Sequence, residues 1–423
     1  MERYATILSF AIFFAAVAQS GVADGQENWS QWRGPGGTGV AVAGEYPVTF
    51  SKSKNVKWKV ELPGRGCSTP AVWGDSIFVT CAIDGQDGLV CFDFDGKEKW
   101  RQQFGKEKQG KHRNGSGSNP SPVVTDRYVA VYYKSSTVAC LTHAGEVVWK
   151  KNLVDEYGED TLYWDRGTSP VLAAENVVIA VMQGGDSYLV ALDLDSGKVA
   201  WKSARDYKVT EETDNAYTTP VALTLDGRET VLVWGAGHLD AWDAKSGEKL
   251  WYVGDFNPKS EKFWRTIASA VSDSDVAIVP FGRGKFLRAM KLAGADGDVT
   301  DSHRLWERSG VGADVPTPVL NGDQVVVLHD KGRVFCLDKF TGAEKWRGKL
   351  PKARGKYFAS PVLAGDSVFF TREDGVILVA RISNETLEIR AENDMGEAVI
   401  ATPIPIRNHL LVRGVKHLFL IGG

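Results

Sequence analysis

The sequence predicts an all-β fold, an eight-bladed β-propeller of four-stranded antiparallel blades, and three observations predict it. First, a Ser/Thr-Pro step followed by two apolar strands recurs eight times. Its hydroxyl residues are Thr69, Ser121, Ser169, Thr219, Ser269, Thr317, Ser360 and Thr402, with Ala270 in place of proline in the fifth copy. Successive steps lie 42–52 residues apart, the period of a propeller blade. Second, a turn ending in glycine precedes a tryptophan at near-constant distance. Asp193 to Trp201, Asp243 to Trp251 and Asp338 to Trp346 are eight apart, and Asp93 to Trp100 and Thr142 to Trp149 are seven apart. Third, the eighth unit has no tryptophan strand of its own, while the segment around Trp58 is such a strand with no proline step before it. Together they make one blade, so the N-terminal strand is expected to pair with the C-terminal strands and close the ring. One blade cannot cover both faces of its sheet, so the units must stack, and closure removes the open sheet edges.

The elements follow in order. Residues 1–18 read as a secretory signal peptide: Arg3 precedes an apolar run from Ala5 to Ala18, and Ala16-Val17-Ala18 offers small residues at a cleavage site. The run is too short for a membrane helix, and no later stretch could span a bilayer. No cysteine follows the run, so no lipobox is expected, and the location is periplasmic or secreted. Residues 19–54 form an N-terminal extension carrying Trp29-Ser30-Gln31-Trp32-Arg33-Gly34-Pro35, and residues 55–423 form the propeller. The third repeat shows the blade plan. One strand follows Ser169-Pro170, a second covers Val177–Val181, and a third covers Tyr188–Leu192. A tight turn from Asp193 to Gly197 leads to an outer strand ending in Trp201. Trp306 closes the fifth blade, and Leu387–Ile389 stands at that place in the seventh. The motif tryptophans are expected to pack between blades.

Glycine is abundant, 45 of 423 residues, as many hairpins require. A net charge of −3 gives no basic field and argues against nucleic acid as a partner. Cys91, Cys140 and Cys336 occupy one repeat position and read as small core residues. An oxidising compartment would permit Cys67–Cys81 or Cys81–Cys91 to bridge. The odd count of five and the lack of CxxC spacing argue against a metal site.

The segments LDLDSGKVAW (Leu192–Trp201), WDAKSGEKLW (Trp242–Trp251) and LDKFTGAEKW (Leu337–Trp346) resemble the pyrroloquinoline-quinone-like (PQQ-like) propeller repeat. The resemblance covers Asn55 to Gly423. It implies kinship with quinoprotein alcohol dehydrogenases, with the assembly protein BamB, and with secreted BamB-like bacterial propellers that open on a WxxWRGP signature. His112 and Asn114 resemble an H-x-x-N stretch of that last group, one residue shorter.

Function in a propeller collects on the loops around the channel mouth. Those after Trp100, Trp149, Trp201 and Trp251 are long and the one after Trp306 is short, so one side of the mouth is built up and is where a site is expected. Residues just before the Ser/Thr-Pro steps should face the channel: Arg65, Asn119, Arg166, Asn215, Tyr217, Arg265, Asp314 and Tyr357, joined by Trp164 and Trp264. Arginine beside aromatics suits a carboxylate, phosphate or sugar. The cationic loop with Lys106, Lys108, Lys111, His112 and Arg113 could take an anion. The acids Asp155, Glu156, Glu159 and Asp160 could take Ca²⁺, and His329-Asp330 could form an acid–base pair. Against an enzyme stand the missing adjacent cysteines and large inserts that the family's dehydrogenases carry, and the absence of CxxCH, GxSxG and HExxH. The expected function is a non-catalytic, monomeric ring without cofactor that binds an envelope protein through its loop face. The alternatives are a PQQ- and Ca²⁺-dependent oxidoreductase and a glycan-binding propeller.

Overall fold

The computed structural model describes residues 27–422 except Asn384. The expected signal peptide, 1–18, lies outside the described residues. Eight sheets of four antiparallel strands form the ring, and two of them gain a short parallel fifth strand. The one α-helix among the described residues, Leu153–Tyr157, is capped by the Asn152 side chain. Blade 3 runs Val171–Ala173, Asn176–Val181, Tyr188–Asp193 and Val199–Ala204. Its outer strand continues to Ala204 instead of ending on Trp201. A bulge opposite Ala191 and Leu192 turns the indole toward the next blade while the ladder goes on. Ring closure is as expected: Val56–Glu61 pairs antiparallel with His417–Ile421, with Trp58 opposite Leu420.

The outer wall repeats one clasp. Six of the seven motif indoles donate the Nε1 proton to a turn carbonyl of the following blade: Trp58 to Phe94, Trp100 to His143, Trp149 to Leu194, Trp201 to Ala244, Trp306 to Lys339 and Trp346 to Ser383, all at 2.8–2.9 Å. The same ring lies flat on the turn glycine. At Gly197 and Gly247, both at positive φ, an added Cβ would sit 2.6 and 2.5 Å from the indoles of Trp149 and Trp201. Glycine therefore serves twice there, for the hairpin and for the close approach.

The channel wall repeats a second device. The backbone amides of six of the eight anchor residues donate to the hydroxyl of the next: Thr69 to Ser121, Ser121 to Ser169, Ser169 to Thr219, Thr219 to Ser269, Ser269 to Thr317 and Thr317 to Ser360, at 2.9–3.0 Å. This explains the hydroxyl residue that begins the units from Ser121 to Ser360: it satisfies a buried amide that has no strand partner.

The WxxWRGP segment docks below this chain and closes that end of the channel. Trp29 is fully buried and exchanges both backbone bonds with Val72. Arg33, also buried, donates to the carbonyls of Pro361, Pro318 and Thr38, and burial lowers its pKa to about 9. Val40–Ala41 then joins blade 7 beside Val362–Ala364.

All five cysteines are free thiols. The expected bridges do not form because Cys81 lies opposite Gly88 and Cys91 opposite Phe78, while the Cys67 thiol contacts the Asn114 carbonyl at 3.1 Å. Cys91, Cys140 and Cys336 are buried core residues, as their repeat position predicts.

Candidate functional site

A cavity of about 600 Å³ opens on the face of the long loops. Its lower ring is the eight anchor hydroxyl residues, with Trp32 as the floor. Its upper ring is the residue two positions before each anchor: Cys67, Asn119, Gly167, Tyr217, Ile267, Val315, Phe358 and Ile400. The rule is that of an extended chain, in which alternate side chains share a face.

The expected mouth residues follow that rule only in part: Asn119 and Tyr217 obey it, whereas Asp314 lines the cavity from three positions before Thr317. Asn119, Trp164, Tyr217, Arg265 and Asp314 line the cavity. The others do not. Arg166 points between blades, paired with Asp160 at 2.9 Å and lying over the Tyr132 ring. Tyr357, at the same odd offset, is buried in the core against Leu350 and Leu363. Asn215 is buried, accepting from the Tyr163 amide at 3.1 Å. Trp264 packs on Phe286 with Lys285 over its ring. Arg65 is exposed at the rim and donates to the Arg113 carbonyl. The acids read as Ca²⁺ ligands serve as ion-pair partners: Asp160 to Arg166 and Lys108, and Glu156 to Lys151. Of His329-Asp330, only Asp330 lines the cavity.

Two walls of the mouth differ in chemistry. On one side, His112 stands edge-on to Trp164 and to Phe358, at 6.1 and 6.2 Å between ring centres. The loop carrying His112 is held at both ends by carboxylates from distant blades. Asp165 accepts from the amides of Lys111 (2.7 Å) and His112 (2.8 Å) and from the Lys134 ammonium. Glu373 accepts from Arg113 (2.7 Å), Asn114 (2.6 Å) and the Lys356 amide (2.9 Å). Burial would raise the Glu373 pKa, but these donors outweigh it and hold it below the usual glutamate range.

The rest of the mouth, from blades 5–7, contributes Arg265, Arg283, Asp314, Asp330 and Lys356. Arg283 sits in a turn whose residues Gly282, Arg283 and Gly284 all have positive φ. Such a run is costly for a non-glycine residue, and it fixes where the guanidinium stands. Burial raises the Asp314 pKa despite the three nearby cations. Burial, with the Asp314 charge adding to it, pushes Asp330 up to about 6 although it accepts from the Val315 amide. Among the described residues no group of three or more His, Cys, Asp or Glu side chains is placed to hold a metal ion. Sequence reasoning missed Trp32, Asp165, Arg283, Lys356, Phe358 and Glu373. The two-residue offset before each anchor could have found Phe358, and the Gly-Arg-Gly turn could have found Arg283.

The family model described as outer membrane protein assembly factor BamB matches residues 15–184, 86–251, 134–308 and 295–390. A BamB of Burkholderia pseudomallei (strain K96243) is 30% identical over 205 residues, 48% of this chain and 48% of that protein, so the chain spans about half the length of that relative. Among solved structures, BamB from Moraxella catarrhalis is similar with a TM-score of 0.61 at 16% identity, over 86% of this chain and 96% of that one. A quinohemoprotein alcohol dehydrogenase from Comamonas testosteroni gives a TM-score of 0.69 at 13% identity, over 94% and 81%. At those identities the two likenesses establish the fold alone. The family match runs through most of the ring and rests on the same repeats that build the clasps, and by it this chain belongs to the BamB family of PQQ-like repeat propellers.

Proposed function

We propose that the chain is a periplasmic or secreted binding propeller whose mouth receives part of an envelope protein. The observation that carries this reading is the single-ended cavity: Trp32 and the anchor ring close its base, and its open end faces the long loops. A channel blocked at one end is a receptacle, not a conduit. Its lining offers apolar and aromatic surface with a few charged groups, the composition of a recognition site. Membership in a family named for outer membrane protein assembly supports a protein partner over a small metabolite. Among the described residues no helix is long and apolar enough to cross a membrane.

The test places a photo-crosslinking residue at Phe358, in the mouth, or at Val199, exposed on the outer wall. In an envelope preparation the mouth position should capture a discrete protein and the wall position should not. Equal labelling from both would remove the reading.

A further inference from the structure

Interior cations of this protein are matched. Arg205 pairs with Asp240 at 3.0 Å with both side chains fully buried, Lys134 pairs with Asp165, and Arg33 and Arg413 donate to backbone carbonyls. The mouth shows the same economy once, where Glu373 is received by Arg113 and Asn114. The cationic wall is built differently: Arg265 is half-buried, and Arg283 and Lys356 are exposed at the mouth of the cavity. The side chains of Arg265, Arg283 and Lys356 line one cavity, and among the described residues none makes a hydrogen bond or an ion pair within 4.0 Å. All three act on Asp314 from a distance, without a bond to it. Arg283 is also held in place by a turn of three successive positive-φ residues. That turn packs so closely on the neighbouring loop that a Cβ on Gly284 would meet the Asp314 amide at 2.9 Å. A rigid backbone that presents an unpaired guanidinium into a cavity is a site prepared for an anion.

We infer that Arg265, Arg283 and Lys356 form an anion site for a carboxylate carried by an extended segment of the partner protein, an Asp or Glu side chain or a chain end. The inference rests on the partner-binding reading above and names what the mouth recognises. All three line one cavity and act on the same carboxylate, Asp314, and guanidinium binds carboxylate through two parallel bonds. Directly below them the upper ring is apolar at Ile267, Val315 and Phe358. A segment with an apolar residue next to an acidic one satisfies both levels. A saccharide would leave hydroxyls facing that apolar ring unpaired. The carboxylates Asp314 and Asp330 on the same wall can accept from the segment's backbone amides.

The experiment selects random heptapeptides, displayed on phage, against the full mature protein. The same selection is run against the triple variant Arg265→Gln/Arg283→Gln/Lys356→Gln and against the conservative variant Arg283→Lys. Expected is enrichment of an acidic residue beside an apolar one on wild type. Affinity of a selected peptide should fall by about tenfold or more for each cation removed. It should fall less for Arg283→Lys, which keeps the charge. Circular dichroism and melting of the triple variant confirm that it folds. Enriched peptides without acidic residues, or an acidic preference unchanged by the triple variant, overturn the anion site and leave partner binding standing. No enrichment on wild type overturns the partner reading as well. If in that case a tetragalacturonate probe binds wild type and not the triple variant, the anion belongs to a saccharide and the protein segment is ruled out.

Discussion

The outer wall and the mouth of this propeller are built on opposite rules. On the wall, an indole, a turn carbonyl and a glycine meet in the same way at blade after blade. At the mouth no contact is repeated. Asp165 and Glu373 hold one loop from different blades, and the arginines and the lysine that line the cavity lie on blades 5–7 alone. The difference teaches where selection for the fold ends and selection for a ligand begins. Redundancy belongs to the frame, and asymmetry marks the part that recognises something.

The sharpest way to break the frame is Trp201→Ala. It removes a buried ring, its bond to Ala244 and the cover over Gly247, and should cost about 3–5 kcal/mol in denaturant unfolding. A loss below about 1 kcal/mol would mean that the clasps are decoration. Next, Ser169→Ala leaves the buried Ser121 amide without its acceptor and should cost about 1–3 kcal/mol. No loss would show that the hydroxyl chain is dispensable.

The mouth should answer with the opposite sign. Burial raises the Asp330 pKa to about 6, with Asp314 adding to the rise and Lys356 and the amides of Val315 and Asp314 opposing it. The ionised form is therefore disfavoured in the folded state. This penalty is absent below the ordinary carboxylate pKa, grows as pH rises toward 6, and is full above it. Asp330→Asn should stabilise the protein by about 1–2 kcal/mol at pH 7.5 and by nothing at pH 3.5. A variant less stable than wild type at pH 7.5 would mean that the charge is structurally required. The smallest effect is expected from pyrroloquinoline quinone with Ca²⁺, which should leave the melting temperature unmoved. A saturable rise would restore the oxidoreductase reading.

The same contrast explains what the sequence could tell. The clasp and the anchor ring were legible because each repeats at a fixed spacing, and even the split blade could be assembled from its two halves. The mouth was only half legible. Asn119 and Tyr217 follow the two-residue offset, whereas the position one residue earlier has no fixed outcome: Arg166 and Tyr357 turn into the blade interfaces there, and Asp314 lines the cavity. Glu373 was invisible because its partners, Arg113 and Asn114, lie in a loop some 260 positions earlier, and no local pattern connects them. The long loops carry His112 and Trp164 but also Arg265, so loop length alone did not locate the cations.

The pairing of Val56–Glu61 with His417–Ile421 also governs the order of events in folding. During synthesis the strand around Trp58 is made first and waits unpartnered until the far end of the chain arrives. Blades 1 to 7 can form in succession, each against its predecessor. The ring becomes topologically complete only in the last step, and that step carries the longest loop-closure cost in the molecule. A chain released short of Leu420 would present two open sheet edges, so quality control could act on a single late contact.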